Sequence, residues 1–570
     1  MNKRQTIIIT ALTITAFILA ILVSARFWFR LDLTKNKAYT ISRVSRNIHR
    51  EIPDIVNITY YLSDRLRSVT PSAGEIEDMM TEYAAYSRGK IRVTVRDPVK
   101  EGLARTIEEL GFQPRQVQNV EQDQASLTTV YSGLAIEYLD RIEVLPWIIS
   151  TETLEYDLTT RIRSMVNNTE RVIGVLIGDS YRAWAQDFNY MEMILADAGF
   201  RIRLISPGED IPDTLPALFV LGGSEDLDPF ALYRIDRYIQ LGGKVLFAVD
   251  GVFVDIYDQL QARQLNDLGL INMISIYGAI ILPELALDRN ALTIQYQVSS
   301  SSGLQYRIAR YPLWIGVQPY GGNPEHPVTS GFSGLDLYWA SPIELSSPDG
   351  VTADVLFASS HDAWAMRKNL YTNPEISYLL EMETDETWGP KILGVSLTGS
   401  FPSFFRGYPK PVREGLDLLE QYHADELPDM PAFTRESRII VIGDLDFATN
   451  MMNVTQNIDY GEQRNLDFIL RAADWLVNDD DIVGIRSRQP QTGRFDKIVD
   501  ETRRASAMQF SQVFNVVFIP LFVIIAGALL SFRRKKAASI TARVPSPHDT
   551  NETHEAVVNN DSQKEADSDI

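Results

Sequence analysis

Two apolar, uncharged stretches lie near the ends of the chain, and they constrain its organisation more than any other feature. Residues 7–23 (IIITALTITAFILAILV) follow Lys3 and Arg4 without a charge, and the Phe27-Trp28-Phe29 cluster beyond Arg26 extends the expected span to 7–29. Residues 513–532 (VFNVVFIPLFVIIAGALLSF) carry no charge and stop at Arg533-Arg534-Lys535-Lys536. A run of roughly 20 apolar residues can span a bilayer as a helix, so both segments are predicted membrane helices. Pro520 predicts a kink in the second, because neighbours or water can satisfy the carbonyl it frees. The first segment has a rival reading. Val23-Ser24-Ala25 offers small residues where a signal peptidase cuts after a basic start and an apolar core. Either reading exports the domain C-terminal to it.

Orientation depends on the Lys/Arg bias, and the two segments disagree. The basic block after Phe532 puts the C-terminus in the cytoplasm, whereas Arg26, Arg30, Lys35 and Lys37 outnumber Lys3 and Arg4. The uninterrupted block directly at the second helix end is the stronger signal, since long domains translocate largely regardless of charge. The expectation is both termini in the cytoplasm of a bacterial inner membrane and a large extracytoplasmic domain. It divides the chain into a cytoplasmic start (1–6), a first span (7–29), an N-terminal α/β module (30–150), a larger α/β domain (151–490), a connector (491–512), a second span (513–532) and a basic stop followed by an acidic tail (533–570). Few aromatics and an excess of acid in that tail predict disorder.

Composition excludes several function classes. With Lys+Arg 54 against Asp+Glu 75, the net charge of −21 works against any sequence-independent grip on phosphate backbones, so nucleic acid is not an expected partner. The absence of cysteine removes disulfides, thiolate zinc sites, iron–sulfur clusters and cysteine nucleophiles. The 570 residues imply roughly two to four domains.

Between the spans, β-branched runs alternate with amphipathic stretches, the pattern of strands joined by helices. In the first module, Ile55–Ser63 and Ile91–Asp97 read as strands, Ala73–Ser87 as a helix, a short helix ends near Leu110-Gly111, and Val130–Tyr138 with Arg141–Ile148 form a hairpin about Leu139-Asp140. This β-α-β-α-β-β order predicts a thioredoxin-like module, used structurally because it lacks the redox cysteine pair. After a helix at Glu155–Asn167, strands at Arg171–Asp179, Arg201–Ile205, Ala217–Gly223 and Lys244–Asp250 alternate with helices at Tyr190–Ala198 and Asp228–Leu241. Such continuous apolar strands predict a doubly wound parallel sheet buried on both faces. Weaker strands are expected at Asp354–Ala358 and Lys391–Leu397, a strong one at Arg438–Phe447, a helix at Gln463–Val477 and a last strand at Ile482–Arg486. Ser299–Ser302 and Pro319–Gly334 read as loops.

Three of these strands end in aspartate: Asp179, Asp250, and Asp444 with Asp446. Ligands of open α/β sheets bind at that carboxyl edge, and clustered carboxylates there suit a divalent cation or a polar ligand. The same residue at a strand-to-helix junction is also an ordinary helix cap or turn former. These four are the candidate ligand-binding residues; no catalytic residue, metal site or cofactor is assigned. Leu221-Gly222-Gly223-Ser224 looks like a phosphate cradle, yet no G-x-x-x-x-G-K-[ST] occurs and Gly242-Gly243-Lys244 precedes a strand, which argues against an ATPase. A Ser-His hydrolase would need His326 or His361 as its base, with no G-x-S-x-G elbow to supply a nucleophile.

Five stretches in register carry a family resemblance. They are Arg30-Leu31-Asp32-Leu33-Thr34 with Lys37, Tyr39, Thr40 and Ser42; Leu154-Glu155-Tyr156-Asp157-Leu158; Ile442 to Phe447; Asn465 through Asp474-Trp475-Leu476 to Ile485-Arg486; and the last apolar segment with Pro520 and its basic block. Together they resemble the GldG-like auxiliary subunits of ABC-2 type transport systems, also described as gliding-motility-associated. The resemblance implies a non-enzymatic extracytoplasmic domain, glutamine-amidotransferase-like in fold and related to domains of intraflagellar transport proteins. It implies a separate ABC-2 permease and a separate ABC ATPase as partners, with lipid around the spans and a substrate or envelope partner for the exterior domain. Nothing in the residues points to gliding itself. The alternative from another class is an exported hydrolase or sugar-binding enzyme using the strand-end carboxylates.

Overall fold

The computed structural model describes residues 40–477 except 71, 122–123, 152, 257–259, 301–302, 347, 377–387, 412–426 and 454–463, together with isolated positions beyond 477. Met1–Pro490 form one compact unit and Gln491–Ile570 a second, and all named strands and helices belong to the first. The expected span at 7–29, the tail, and all but a few positions of 491–532 lie outside the described residues. Among the described residues no helix is long and apolar enough to cross a membrane.

The N-terminal module is built on β1 (Val56–Leu62), β2 (Ile91–Arg96), β3 (Arg115–Glu121), β4 (Gln124–Val130), β5 (Ser132–Tyr138) and β6 (Arg141–Leu145). Its four-stranded sheet runs β2-β1-β5-β6, with β1 and β2 parallel and the other pairs antiparallel. On the helix Ser72–Tyr86, Ile76, Met80 and Tyr83 recur at helical spacing and are buried. Leu154, Leu158, Ile162 and Met165 of the helix Leu154–Asn167 enter the same core against β1 and β5. The short helix Ala104–Glu109 places Ile107 in a separate cluster with Tyr61, Phe112 and Tyr131. Two boundaries differ from the sequence expectation. The pair β3/β4 forms a two-stranded sheet of its own, and Val130 closes β4 instead of opening the β5/β6 hairpin. Polar side chains alternate through RQVQNVE without a strong apolar face, which conceals its strand character.

The larger domain adds β7 (Val172–Ile177), β8 (Arg201–Leu204), β9 (Ala217–Leu221), β10 (Lys244–Ala248), β11 (Val252–Asp255), β12 (Gln261–Gln264), β13 (Ala279–Ile281), β14 (Leu285–Asp288), β15 (Ala291–Ser300), β16 (Gly303–Val317), β17 (Leu335–Tyr338), β18 (Ile343–Leu345), β19 (Val351–Ala358), β20 (Ala363–Met366), β21 (Ile392–Gly399) and β22 (Ser437–Ile442). Its main sheet has seven strands in the order β19-β21-β22-β10-β9-β7-β8. The five from β22 to β8 are parallel. Every residue of β9 is buried, because helices cover both faces. The helices Asn189–Asp197 and Arg464–Val477 pack on one face, and Pro229–Gln240 and Gly269–Tyr277 on the other. Asp228 caps Pro229–Gln240 by accepting from the Ala231 N–H at 2.8 Å, and Pro229 sits in the first turn where no amide hydrogen is needed.

The sheet is mixed, not wholly parallel: β21 runs antiparallel to β22, and β19 antiparallel to β21. Residues 252–345, for which the sequence predicts no strands, carry β11–β18 in small antiparallel sheets around Tyr311, Trp314, Tyr338, Trp339 and Trp364. Ser299 and Ser300 end β15 inside a hairpin, while Pro319–Gly334 holds a short 3-10 turn and a single bridge from Gly322 to Phe357. The last expected strand, at Ile482–Arg486, is corrected. Ile482 and Ile485 are helical, and their three-residue spacing puts both against Tyr156.

One join ties the two parts together. The Tyr156 hydroxyl donates to Asp474 Oδ1, and Arg171 Nη2 donates to the same oxygen at 2.6 Å, with Asp474 fully enclosed. Ser42 N–H donates to Glu155 Oε1 at 2.7 Å beside it.

Candidate ligand site at the carboxyl edge of the sheet

Strands β7, β10 and β22 end at Ile177, Ala248 and Ile442, and each reaches an aspartate two residues later: Asp179, Asp250 and Asp444. Asp446 comes on the next turn. From β7 the chain passes outward to β8 and then returns across β7 to β9, so the β7/β9 crevice is the place where strand order reverses. Open sheets of this kind bind ligands outside such a crevice.

A cavity of ≈ 230 Å³ opens there. Asp179, Asp250 and Asp446 line it with Tyr181, Arg182 and Phe253. Asp444 lies beneath, fully buried, and accepts from Tyr338 N–H and Asp446 N–H, each at 2.7 Å. Three of the four candidate aspartates thus reach the cavity, and the fourth holds its floor together.

Local backbone explains the placement. Gly222 and Gly223 have φ of +72° and +90°, a region that costs a side-chain-bearing residue energy. The turn aims Gly223 N–H at Asp179 Oδ1, 2.7 Å away. The Gly-rich turn that resembles a phosphate cradle in sequence therefore spends a donor on a carboxylate of its own chain. Asp250 Oδ1 accepts from Leu445 N–H at 2.8 Å, linking the ends of β10 and β22.

Burial raises the proton affinity of all four carboxyls, and neighbouring charges add to it at Asp250 and Asp444. Burial pushes Asp179 up to about 6, against the pull of the Gly223 amide, the Tyr181 hydroxyl and Arg182. Burial, then the neighbouring Asp446 charge, holds Asp250 well above the carboxylate range. Burial, then Asp250 and Asp446, does the same to Asp444. Asp446 is also raised by burial, though Arg182 opposes it. Arg182 is enclosed, donates from Nη2 to Asp446 Oδ1 at 2.6 Å and lies 3.5 Å from Asp187; its Nε meets no acceptor. The cluster thus holds its protons more tightly than free carboxyls do and lines the cavity with carboxyl oxygens beside the enclosed Arg182, a polar surface suited to hydroxyl or amine groups.

The rim supplies aromatic surface and a second ion pair. Tyr181 and Phe253 meet edge to face at 6.1 Å, and the Arg263 guanidinium lies 4.1 Å from the Phe253 ring centre. Arg263 also grips Glu225 through two bonds of 2.7 and 2.9 Å. Neither Arg182, Phe253 nor Arg263 stands out in the sequence. Arg182 comes three residues after Asp179 and is within reach of the same strand-end argument, whereas Phe253 and Arg263 arrive on the β11/β12 hairpin, whose four-residue strands are too short to show a period. Among the described residues no group of three or more His, Asp or Glu side chains is placed to hold a metal ion. His326 is buried away from the cavity, its Nε2 3.1 Å from Ser396 Oγ, and His361 does not line it either.

Known proteins share parts of this chain. A family model described as an ABC-type uncharacterized transport system matches residues 170–478, more than half of the chain, and a domain of unknown function matches residues 35–137. A protein of Borreliella burgdorferi described as uncharacterized is 25% identical over 547 residues, covering 94% of this chain and 100% of its own length. Among solved structures, the N-terminal domain of mmIFT52 shares 9% identity at a TM-score of 0.30, covering 54% of this chain and 98% of that one. A ThuA-like protein from Parabacteroides merdae gives 13% identity and a TM-score of 0.19, over 34% of this chain and 68% of its own. An exo-β-1,4-mannosidase from an Opitutaceae bacterium gives 10% and 0.22, over 71% and 50%. TM-scores this low establish no shared fold.

Proposed function

Because the chain belongs to the family of ABC-type uncharacterized transport systems, and so is an auxiliary component of an ABC transport system, we propose that it is the membrane-anchored, non-ATPase subunit of an ABC-2 type complex of the GldG-like kind. The segments at 7–29 and 513–532 anchor it in the bacterial inner membrane, with both termini cytoplasmic. The domain between them is extracytoplasmic and binds a transported substrate or an envelope partner. A separate permease forms the path and a separate ATPase supplies the energy. On this reading, the β2-β1-β5-β6 sheet is a thioredoxin-like module used as scaffold, and the larger domain is amidotransferase-like, working by binding.

The family match over 170–478 carries the reading. The cavity at the sheet's carboxyl edge supports it by giving the larger domain a place for a polar ligand. Separate deletions of this chain, the permease and the ATPase are expected to produce the same transport defect. Transport that continues without this chain contradicts the proposal.

One observation favours the exported-enzyme alternative. Asp179, raised to about 6 by burial, is poised to give up a proton near neutrality and shares the cavity with Asp250 and Asp446. Under that reading Asp179→Asn abolishes turnover while complex assembly persists. Under the binding reading no turnover exists to abolish, and the variant alters only ligand affinity.

A further inference from the structure

The β15/β16 hairpin rests on the larger domain through Leu292, Ile294 and Tyr296 of β15, while the first half of β16 is exposed. Among the described residues only Trp314–Val317 of β16 pair with β17, and the strand from Gly303 to Arg310 pairs with β15 alone. Residues 303–308 of β16 are exposed without the alternation a strand lying on a core would show. Eight residues of strand reach roughly 25 Å. An isolated two-stranded ribbon is marginal in water, which makes its surface chemistry informative.

Leu304, Tyr306 and Ile308 alternate along β16 and so share one face, at 71%, 66% and 64% exposure. Opposite them on that face stand Gln297 and Gln295 of β15, and Gln297 Nε2 donates to the Tyr306 hydroxyl at 2.7 Å. The charge pattern is equally biased. In a chain of net charge −21, no Asp or Glu occurs between Asp288 and Glu325, while Arg289, Arg307 and Arg310 do. Arg310 is spent in part on the Ala291 carbonyl at 2.7 Å, and Arg307 is exposed.

We propose that this hairpin docks on a bilayer surface rich in anionic phospholipid, its Leu304, Tyr306 and Ile308 face entering the headgroup region and its arginines meeting the phosphates. Aliphatic residues flanking a tyrosine suit the water–lipid boundary, where the ring is buried and the hydroxyl stays wet. Each arginine near an anionic surface adds about a five-fold gain in partition. A ribbon segment that carries arginine and no acid in its sequence is complementary to that surface and avoids the repulsion the rest of this acidic chain meets. The bilayer's nearness rests on the anchoring proposed above, whereas the recognition chemistry does not.

The chain has no cysteine, so one introduced residue can be labelled alone. Full-length Gln297→Cys carrying an environment-sensitive dye is reconstituted into vesicles of phosphatidylcholine, with or without about 30% phosphatidylglycerol, containing nitroxide-labelled lipid. Quenching is expected in the anionic vesicles, falling about ten-fold in neutral ones and about five-fold with Arg307→Gln. The combined Leu304→Ser, Tyr306→Ser and Ile308→Ser variant should abolish it, and the single arginine variant keeps the test valid if that triple change unfolds the ribbon. Unquenched dye in anionic vesicles overturns the proposal, as does equal quenching in neutral ones. Dye shielding that tracks protein density instead of lipid would assign the face to a second copy and likewise overturn it. Alkaline-carbonate extraction of the same vesicles tests anchoring separately. A chain that extracts has lost the anchoring reading, and its hairpin is then judged by flotation with added vesicles.

Discussion

Asp179 shows how the candidate site and stability oppose each other. Its folded pKa is about 6 against an ordinary 3.8, so the folded protein holds this proton more tightly than the unfolded chain does. Its stabilising effect is therefore fully present below the unfolded value and declines as pH rises from about 4 to about 6, by at most about 3 kcal/mol. Asp179→Asn keeps an acceptor for Gly223 N–H and removes the charge. Urea unfolding should show the variant more stable than the parent at pH 7 by about 1–3 kcal/mol, with a shallower loss between pH 4 and 6. Equal slopes would refute the account of this carboxyl. Arg182 acts in the opposite sense. Its pair with Asp446 is enclosed, and Arg182→Met leaves that carboxylate uncompensated. The expected loss is about 3 kcal/mol where Asp446 is ionised and becomes smaller as falling pH neutralises that carboxyl. Thermal denaturation of the two proteins at both pH values measures the difference.

At the scale of elements, the helices Leu154–Asn167 and Arg464–Val477 carry the join between module and larger domain. Asp474 receives both Tyr156 and Arg171 without exposure to water. Asp474→Ala orphans a buried guanidinium and should cost about 3 kcal/mol, and hydrogen exchange should accelerate in both helices together. Acceleration confined to one helix would show that the join does not couple them. These two helices are legible in the sequence because Leu154, Leu158, Ile162 and Met165 repeat at helical spacing and because Arg464–Val477 is apolar on a broad face. Strands β7, β9 and β10 are legible as unbroken apolar runs. The β3/β4 pair is not, because polar residues run through it, and most of β11–β18 are runs of three or four residues, too short to show a period even where, as in β14 and β17, they are buried. The helical Ile482 and Ile485 read as a strand for the related reason that a short apolar run fits either period. Within the site, aspartates at strand ends announce themselves by position, whereas Phe253 and Arg263 owe their place to the insertion that folds over the edge.

For the whole molecule, the four aspartates, the reversal of strand order at β7/β9 and the overlying β11/β12 hairpin form one polar receptacle, while the acid-free β15/β16 ribbon presents a different chemistry. Such a division suits an auxiliary subunit that holds a ligand in one place and a surface in another, with the driving reaction supplied elsewhere. The central claim is assembly, and affinity capture through a C-terminal tag from detergent-solubilised native membranes tests it most directly. The account predicts that an ABC-2 permease and an ABC ATPase are recovered with the chain in fixed proportion, and that capture survives Asp179→Asn. Repeated recovery of the chain alone, under detergents that keep the permease and ATPase bound to each other, would contradict it.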